Sequence, residues 1–75
     1  MADHLQRTLG KNLKAYREAE GLSQESFADE LGFHRTYVGG LERGERNLSL
    51  QSVEKIADKL GMEPLVLLGE PEGKR

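Results

Sequence analysis

An all-α fold of five short helices is predicted by three features of this chain. Apolar residues recur at three- and four-residue spacing from one end to the other. Glycines stand where those stripes stop, at Gly21, Gly32, Gly44 and Gly61. Strand signals are missing, because no stretch alternates apolar and polar residues with β-branched enrichment.

The elements follow in order. Leu5, Leu9, Leu13 and Tyr16 form one buried stripe on a first helix from about Leu5 to Glu20, stopped by Gly21. Ser23 is the N-cap of the second helix, its hydroxyl reaching a free backbone N–H, and Glu25 sits in the first turn, where the helix dipole favours negative charge. Phe27, Ala28 and Leu31 face inward and Gly32 ends this helix. A third helix runs from about Arg35 to Arg43 with Val38 and Leu41 inward and Gly44 as its stop. Neither short helix is stable alone. After a polar loop over Glu45 to Leu48, Ser49 caps a fourth helix whose inward face is Leu50, Val53, Ile56, Ala57 and Leu60. Pro64 suits the first position of a short fifth helix, where its missing N–H is no loss, although Glu63 is a poor N-cap. Residues 69–75, GEPEGKR, hold no apolar side chain and are expected to be a flexible tail behind a domain spanning residues 1–68.

Composition narrows the function classes. Seventy-five residues make one small domain, and with no cysteine neither a disulfide nor a thiolate zinc site can staple it. The longest unbroken apolar run, Leu65 to Leu68, is far short of a membrane span, and MADHLQRTLG has no apolar stretch of signal-peptide type; a cytoplasmic protein with no membrane partner is expected. Catalysis is not expected: His4 and His34 are isolated, no His, Asp or Glu grouping has metal-ligand spacing, and no serine has an orienting base. No cofactor, metal or small-molecule ligand is implied. The net charge of −2 argues against a nucleic-acid partner at first sight. Its distribution matters more, since Asp58, Glu63, Glu70 and Glu72 gather near the C-terminal end while Arg35, Arg43 and Arg46, set against Glu42 and Glu45, make a modest basic patch between residues 33 and 48.

The stretch from Gln24 to Leu41, QESFADELGFHRTYVGGL, meets several separate demands of a helix-turn-helix. Ala28 is small where two helices cross steeply, Gly32 permits the sharp turn, and Phe27, Leu31, Phe33, Val38 and Leu41 anchor both sides. Together with its surroundings, Leu9 to Leu68, this stretch resembles the phage-repressor-like, or XRE-type, helix-turn-helix family. Within it, HRTYVGGLERGERNLS looks particularly like the controller proteins of restriction–modification systems. The resemblance implies a compact five-helix lambda-repressor-like DNA-binding domain, acting as a homodimer on an inverted-repeat operator in double-stranded DNA, with the third helix in the major groove and its two copies about 34 Å apart.

Residue by residue, the resemblance makes Arg35 and Thr36 base readers, with Arg46 a further candidate. Arg can donate two parallel bonds to guanine, worth about 1–3 kcal/mol of discrimination. Gln24 becomes a phosphate contact at a helix N-terminus. His34 leads into the recognition helix near a phosphate, and Arg43 and Asn47 suit the DNA backbone. Tyr37 either packs between helices or gives its hydroxyl to a phosphate. Gly39 falls one turn beyond Arg35 on the exposed face, where it either permits close approach to the sugar–phosphate backbone or simply removes a reader. Gly40 is assigned a packing role. Arg17 and Glu42 correspond to a structural ion pair tying the first helix to the end of the third. On the fifth helix, too short to bury four successive apolar residues, Leu65 and Val66 are the expected dimer interface. The competing class is a protein-interaction module or antitoxin-like adaptor, which the acidic total charge favours slightly.

Overall fold

The computed structural model describes residues 4–69, so residues 70–75 of the expected tail lie outside the described residues. Five helices occupy His4–Ala19 (α1), Gln24–Leu31 (α2), Arg35–Glu42 (α3), Leu50–Leu60 (α4) and Pro64–Leu68 (α5), with no strand among the described residues. The predicted all-α, five-helix architecture holds, with helix ends shifted by one residue at most.

Local chemistry sets the boundaries. Ser23 Oγ accepts the Ser26 N–H at 3.0 Å, and Ser49 Oγ accepts the Ser52 N–H at the same distance. Each hydroxyl satisfies one of the four donors that a helix start leaves open. Between α2 and α3 the chain reverses at Gly32, whose φ of +79° is left-handed; its N–H bonds the Asp29 carbonyl, and Phe33 N–H reaches back to Ala28. A Cβ-bearing residue is strained in that conformation.

Packing is α1 against α3 and α5, α2 against α3, and α4 against α5 and α2. Leu13, Phe27, Leu31, Val38, Leu41, Ile56 and Leu67 are fully enclosed at the centre, and Ala28 and Ala57 fill the narrow places. Tyr16 packs on Phe27 with ring centres 6.0 Å apart. Helices α2 to α5, of 8, 8, 11 and 5 residues, are too short to persist by propensity, so this shared core is what sustains them.

Two expected core residues stand elsewhere. Leu50 is 78% exposed and Leu5 55% exposed. Both have the right helical phase, but at the first turns of α4 and α1 they flank an open groove of about 290 Å³, lined also by Leu9, Leu48, Val53 and Leu68, that none of the described residues fills. On α5, Leu67 is enclosed, Leu68 half-buried, and Leu65 and Val66 are exposed.

With five residues and no side-chain N-cap, α5 needs an outside anchor. Asn12, half-buried on α1, supplies it by donating its amide to the Leu67 carbonyl at 2.6 Å and the Gly69 carbonyl at 2.8 Å. Asn12→Ala leaves both carbonyls without that donor and should destabilise the domain by about 1–2 kcal/mol. Thermal unfolding checks the value, and faster amide exchange confined to residues 64–69 checks the location.

Candidate nucleic-acid interface

The candidate surface is the outer edge of α3 together with the start of α2 and the loop after α3. Because Val38 and Leu41 are driven inward, the opposite edge of α3 must present His34, Arg35 and Thr36 to solvent, and all three are exposed. His34 is the N-cap of α3 but makes no side-chain cap bond, so the helix start keeps its own N–H groups open. Arg35 and Thr36 have no hydrogen-bond or ion-pair partner among the described residues.

Gln24, Arg35, Thr36, Gly39 and Arg43 line one shallow depression of about 210 Å³. No carboxylate lines it. The structure thus brings two cations, a hydroxyl and an amide together between the start of α2 and the outer edge of α3. It changes the placement of Gly39, however. Rather than lying open on the exposed face, Gly39 is buried beneath side chains: a Cβ there would come 3.2 Å from Arg43 Nη1 and 3.7 Å from Gln24 Oε1. The reason is that Arg43, one turn on, folds back over it while Gln24 closes in from α2.

Behind the depression lies a polar knot. Arg17 Nε meets Glu42 Oε2 at 2.7 Å and Nη2 meets Oε1 at 3.1 Å, a two-pronged pair whose side chains are only 13% and 4% exposed. The remaining Arg17 prong donates to the Leu22 carbonyl at 3.0 Å. Hydrogen bonding to Glu42 is the main cause of an Arg17 pKa raised above the ordinary guanidinium value. Gln24 Nε2 also donates to Glu42 Oε1, at 3.1 Å. That third partner is a link the sequence does not advertise, since Gln24 and Glu42 are 18 positions apart and neither periodicity nor charge pattern joins them. The knot fixes the first side chain of α2 relative to the end of α3.

The loop residues divide. Arg43 pairs with Glu45 at 3.1 Å, but both side chains are about 60% exposed, so the pair holds little energy and yields readily to a stronger anion. Asn47 turns toward α1, where its Oδ1 accepts from Gln6 Nε2. Arg46 lies over the half-buried Tyr37, its guanidinium carbon 5.2 Å from the ring centre. Phe33 meets Tyr37 edge-on at 4.8 Å, an aromatic pair four residues apart that helical spacing could have announced. Leu65 and Val66 lie on α5, which packs on α1 and α4.

Among the described residues no group of three or more His, Cys, Asp or Glu side chains is placed to hold a metal ion, and no helix is long and apolar enough to cross a membrane.

Comparison with known proteins gives this geometry its family. Control protein C.BamHI of Bacillus amyloliquefaciens is 39% identical over 69 residues, covering 91% of this chain and 85% of the relative. The crystal structure of the hypothetical transcription factor NHTF from Neisseria superposes with a TM-score of 0.80 at 37% identity, covering 93% of this chain and 80% of that one. The restriction-modification controller protein C.Esp1396I, crystallised as a tetramer in complex with its natural 35 base-pair operator, superposes with a TM-score of 0.71 at 33% identity, covering 85% and 84%. A helix-turn-helix family model matches residues 13–67. The chain therefore belongs to the helix-turn-helix family, in the phage-repressor-like branch that includes the restriction–modification controller proteins.

Proposed function

We propose that the chain is a sequence-specific DNA-binding transcriptional regulator that grips an inverted-repeat operator as a homodimer, with α3 in the major groove. The observation that carries this reading is the exposed leading edge of α3. Arg35 and Thr36 spend no donor within the described part of the chain, and they border a depression free of carboxylates. A relative crystallised as a tetramer on its operator supports the DNA-binding part of this reading. In this reading Arg35 and Thr36 address base edges and Arg46 reaches a further one from the loop. Gln24, His34, Tyr37, Arg43 and Asn47 hold phosphates, and Gly39 supports the backbone contact only from beneath Gln24 and Arg43. The exposed Leu65 and Val66 on α5 form the two-fold interface. Nothing in this scheme calls for catalysis or a cofactor.

A net charge of −2 makes non-specific attraction weak, so affinity must come from specific contacts made twice. Fluorescence anisotropy on an operator selected from a randomised duplex pool tests the proposal. Arg35→Ala should relax base preference at one position of each half-site, by about 1–3 kcal/mol of lost discrimination. Arg43→Ala should instead weaken binding to every sequence and reduce the salt slope by about one. Binding that ignores base sequence, or that is indifferent to salt, would sink the reading. Tight co-purification with a protein partner, without DNA binding at low salt, would favour the adaptor class.

A further inference from the structure

Arg46 is an exposed loop residue whose side chain does not trail into solvent. Its stem crosses the bare backbone of Gly40: a Cβ on that glycine would stand 2.8 Å from Arg46 Nε, 3.3 Å from Cγ and 3.5 Å from Cδ. Its guanidinium then lies over the Tyr37 ring, which Phe33 braces edge-on at 74°. Beneath it the loop backbone is pinned to α3, with the Gly44 N–H donating to the Leu41 carbonyl at 3.1 Å and the Glu45 N–H to the Gly40 carbonyl at 2.9 Å.

A guanidinium held over a ring by cation–π attraction needs no hydrogen-bond acceptor to stay there. Among the described residues Arg46 makes no ion pair and no hydrogen bond, while its neighbour Arg43 is engaged with Glu45. Arg46 is thus held in place with its donors unspent.

We propose that Tyr37 and Gly40 are positioning residues for Arg46, forming a perch that presents its guanidinium as a fixed donor fork on the flank of α3. This rests on the DNA-binding reading above and assigns the perch a part in it. A long side chain loses rotamer freedom when it is immobilised at an interface. The perch takes that loss during folding, so it is not charged against binding. The closest crowding at Gly40 comes from Arg46: the three atoms nearest to an added methyl all belong to it, and within a helix alanine is otherwise the better residue. The part of Tyr37 that matters to the perch is its ring, not its hydroxyl.

The test has an arm without DNA and an arm with it. In proton NMR of the free chain, the Tyr37 ring current should move the Arg46 δ-methylene resonances upfield. Tyr37→Phe should keep that shift, and Tyr37→Leu and Gly40→Ala should abolish it. An unshifted Arg46 in the wild-type chain overturns the proposal. In anisotropy titrations on the selected operator, Gly40→Ala and Tyr37→Leu should each weaken binding roughly 3- to 10-fold. The Tm of Gly40→Ala should stay level or rise. In an Arg46→Ala background, Gly40→Ala should have no further effect on binding. Wild-type affinity in Gly40→Ala, or an equal loss with Arg46 already removed, sinks the perch alone. A wild-type chain that binds no duplex sinks the DNA reading, and the perch's part in it, even where the ring-current shift stands.

Discussion

Glu42→Ala should destabilise the domain by about 3 kcal/mol, the low end of what removing one partner from a buried ion pair costs. The Glu42 carboxylate receives two Arg17 donors and the Gln24 amide, and its own side chain is only 4% exposed. Without it the Arg17 guanidinium keeps a full charge at a site that water barely reaches, with the Leu22 carbonyl as its one remaining hydrogen-bond partner among the described residues and Glu18 as a weaker opposite charge. In a domain this small the loss corresponds to a fall in Tm on the order of 15 °C. Arg17→Ala should cost a similar amount. The double variant should cost clearly less than the sum, because two apolar groups strand no charge. A Tm within a few degrees of wild type, or strict additivity, would show that the knot is decoration. Glu42→Ala should also weaken DNA binding at temperatures where both proteins are folded, since Gln24 loses the partner that orients it. The pH dependence has a definite sign on the Arg17 side. Its folded-state pKa lies above its ordinary value, so its contribution is fully present below the unfolded pKa and is lost only as pH rises through the folded one. Tm should therefore show no decline attributable to Arg17 across the mildly alkaline range.

Gly10→Ala should be about as damaging, for a different reason. A Cβ on Gly10 would stand 2.4 Å from the Leu41 carbonyl oxygen and 2.7 Å from that of Glu42. Both are backbone atoms at the end of α3, so no side chain can rotate aside. The α1–α3 crossing must open, and overpacking of this kind costs about 1–3 kcal/mol, occasionally more. Here the upper end is expected even after the gain of about 1 kcal/mol that alanine brings to a helix interior. Gly32→Ala makes a useful contrast. Nothing lies within 4 Å of a Cβ at Gly32, and its cost of about 1–2 kcal/mol comes from the left-handed backbone alone. Thermal melts of the two variants should rank Gly10→Ala the more severe. The reverse order would show that α1 and α3 can part cheaply. Because Leu41 and Glu42 end the helix that carries Arg35 and Thr36, Gly10→Ala should also change the angle at which that helix is offered to DNA.

Much of the architecture was legible in the residues themselves. Ser23 and Ser49 are recognisable as caps because a hydroxyl before an apolar stripe has one local use, and that use depends on atoms three residues away. Gly32 is recognisable as a turn because left-handed backbone excludes most other residues. Phe27, Leu31, Val38 and Leu41 announce themselves by helical phase, and the exposure of Arg35 and Thr36 follows once those four are inside.

Leu50 marks the boundary of such reasoning. Its phase is that of the core, yet phase says only which side of a helix a residue occupies and nothing of whether another element stands opposite. Gly39 fails in the other direction, since it points outward and is covered all the same by Gln24 and Arg43. Gly10 carries no signal beyond being a glycine inside a helix. The value of its missing methyl depends on two carbonyls more than thirty positions away.

By itself, then, the sequence determined five helices, where each begins and stops, and which edge of the third helix is turned outward, because capping, backbone conformation and periodicity act over a handful of residues. Only the tertiary structure decided how close α1 comes to α3 at Gly10, that Glu42 gathers Arg17 and Gln24 into one knot, and that Arg46 rests on Gly40 and Tyr37. These are contacts between separate elements or between a helix and the loop folded back on it. Their distances are set by the packing of the whole core, which no local pattern of residues encodes.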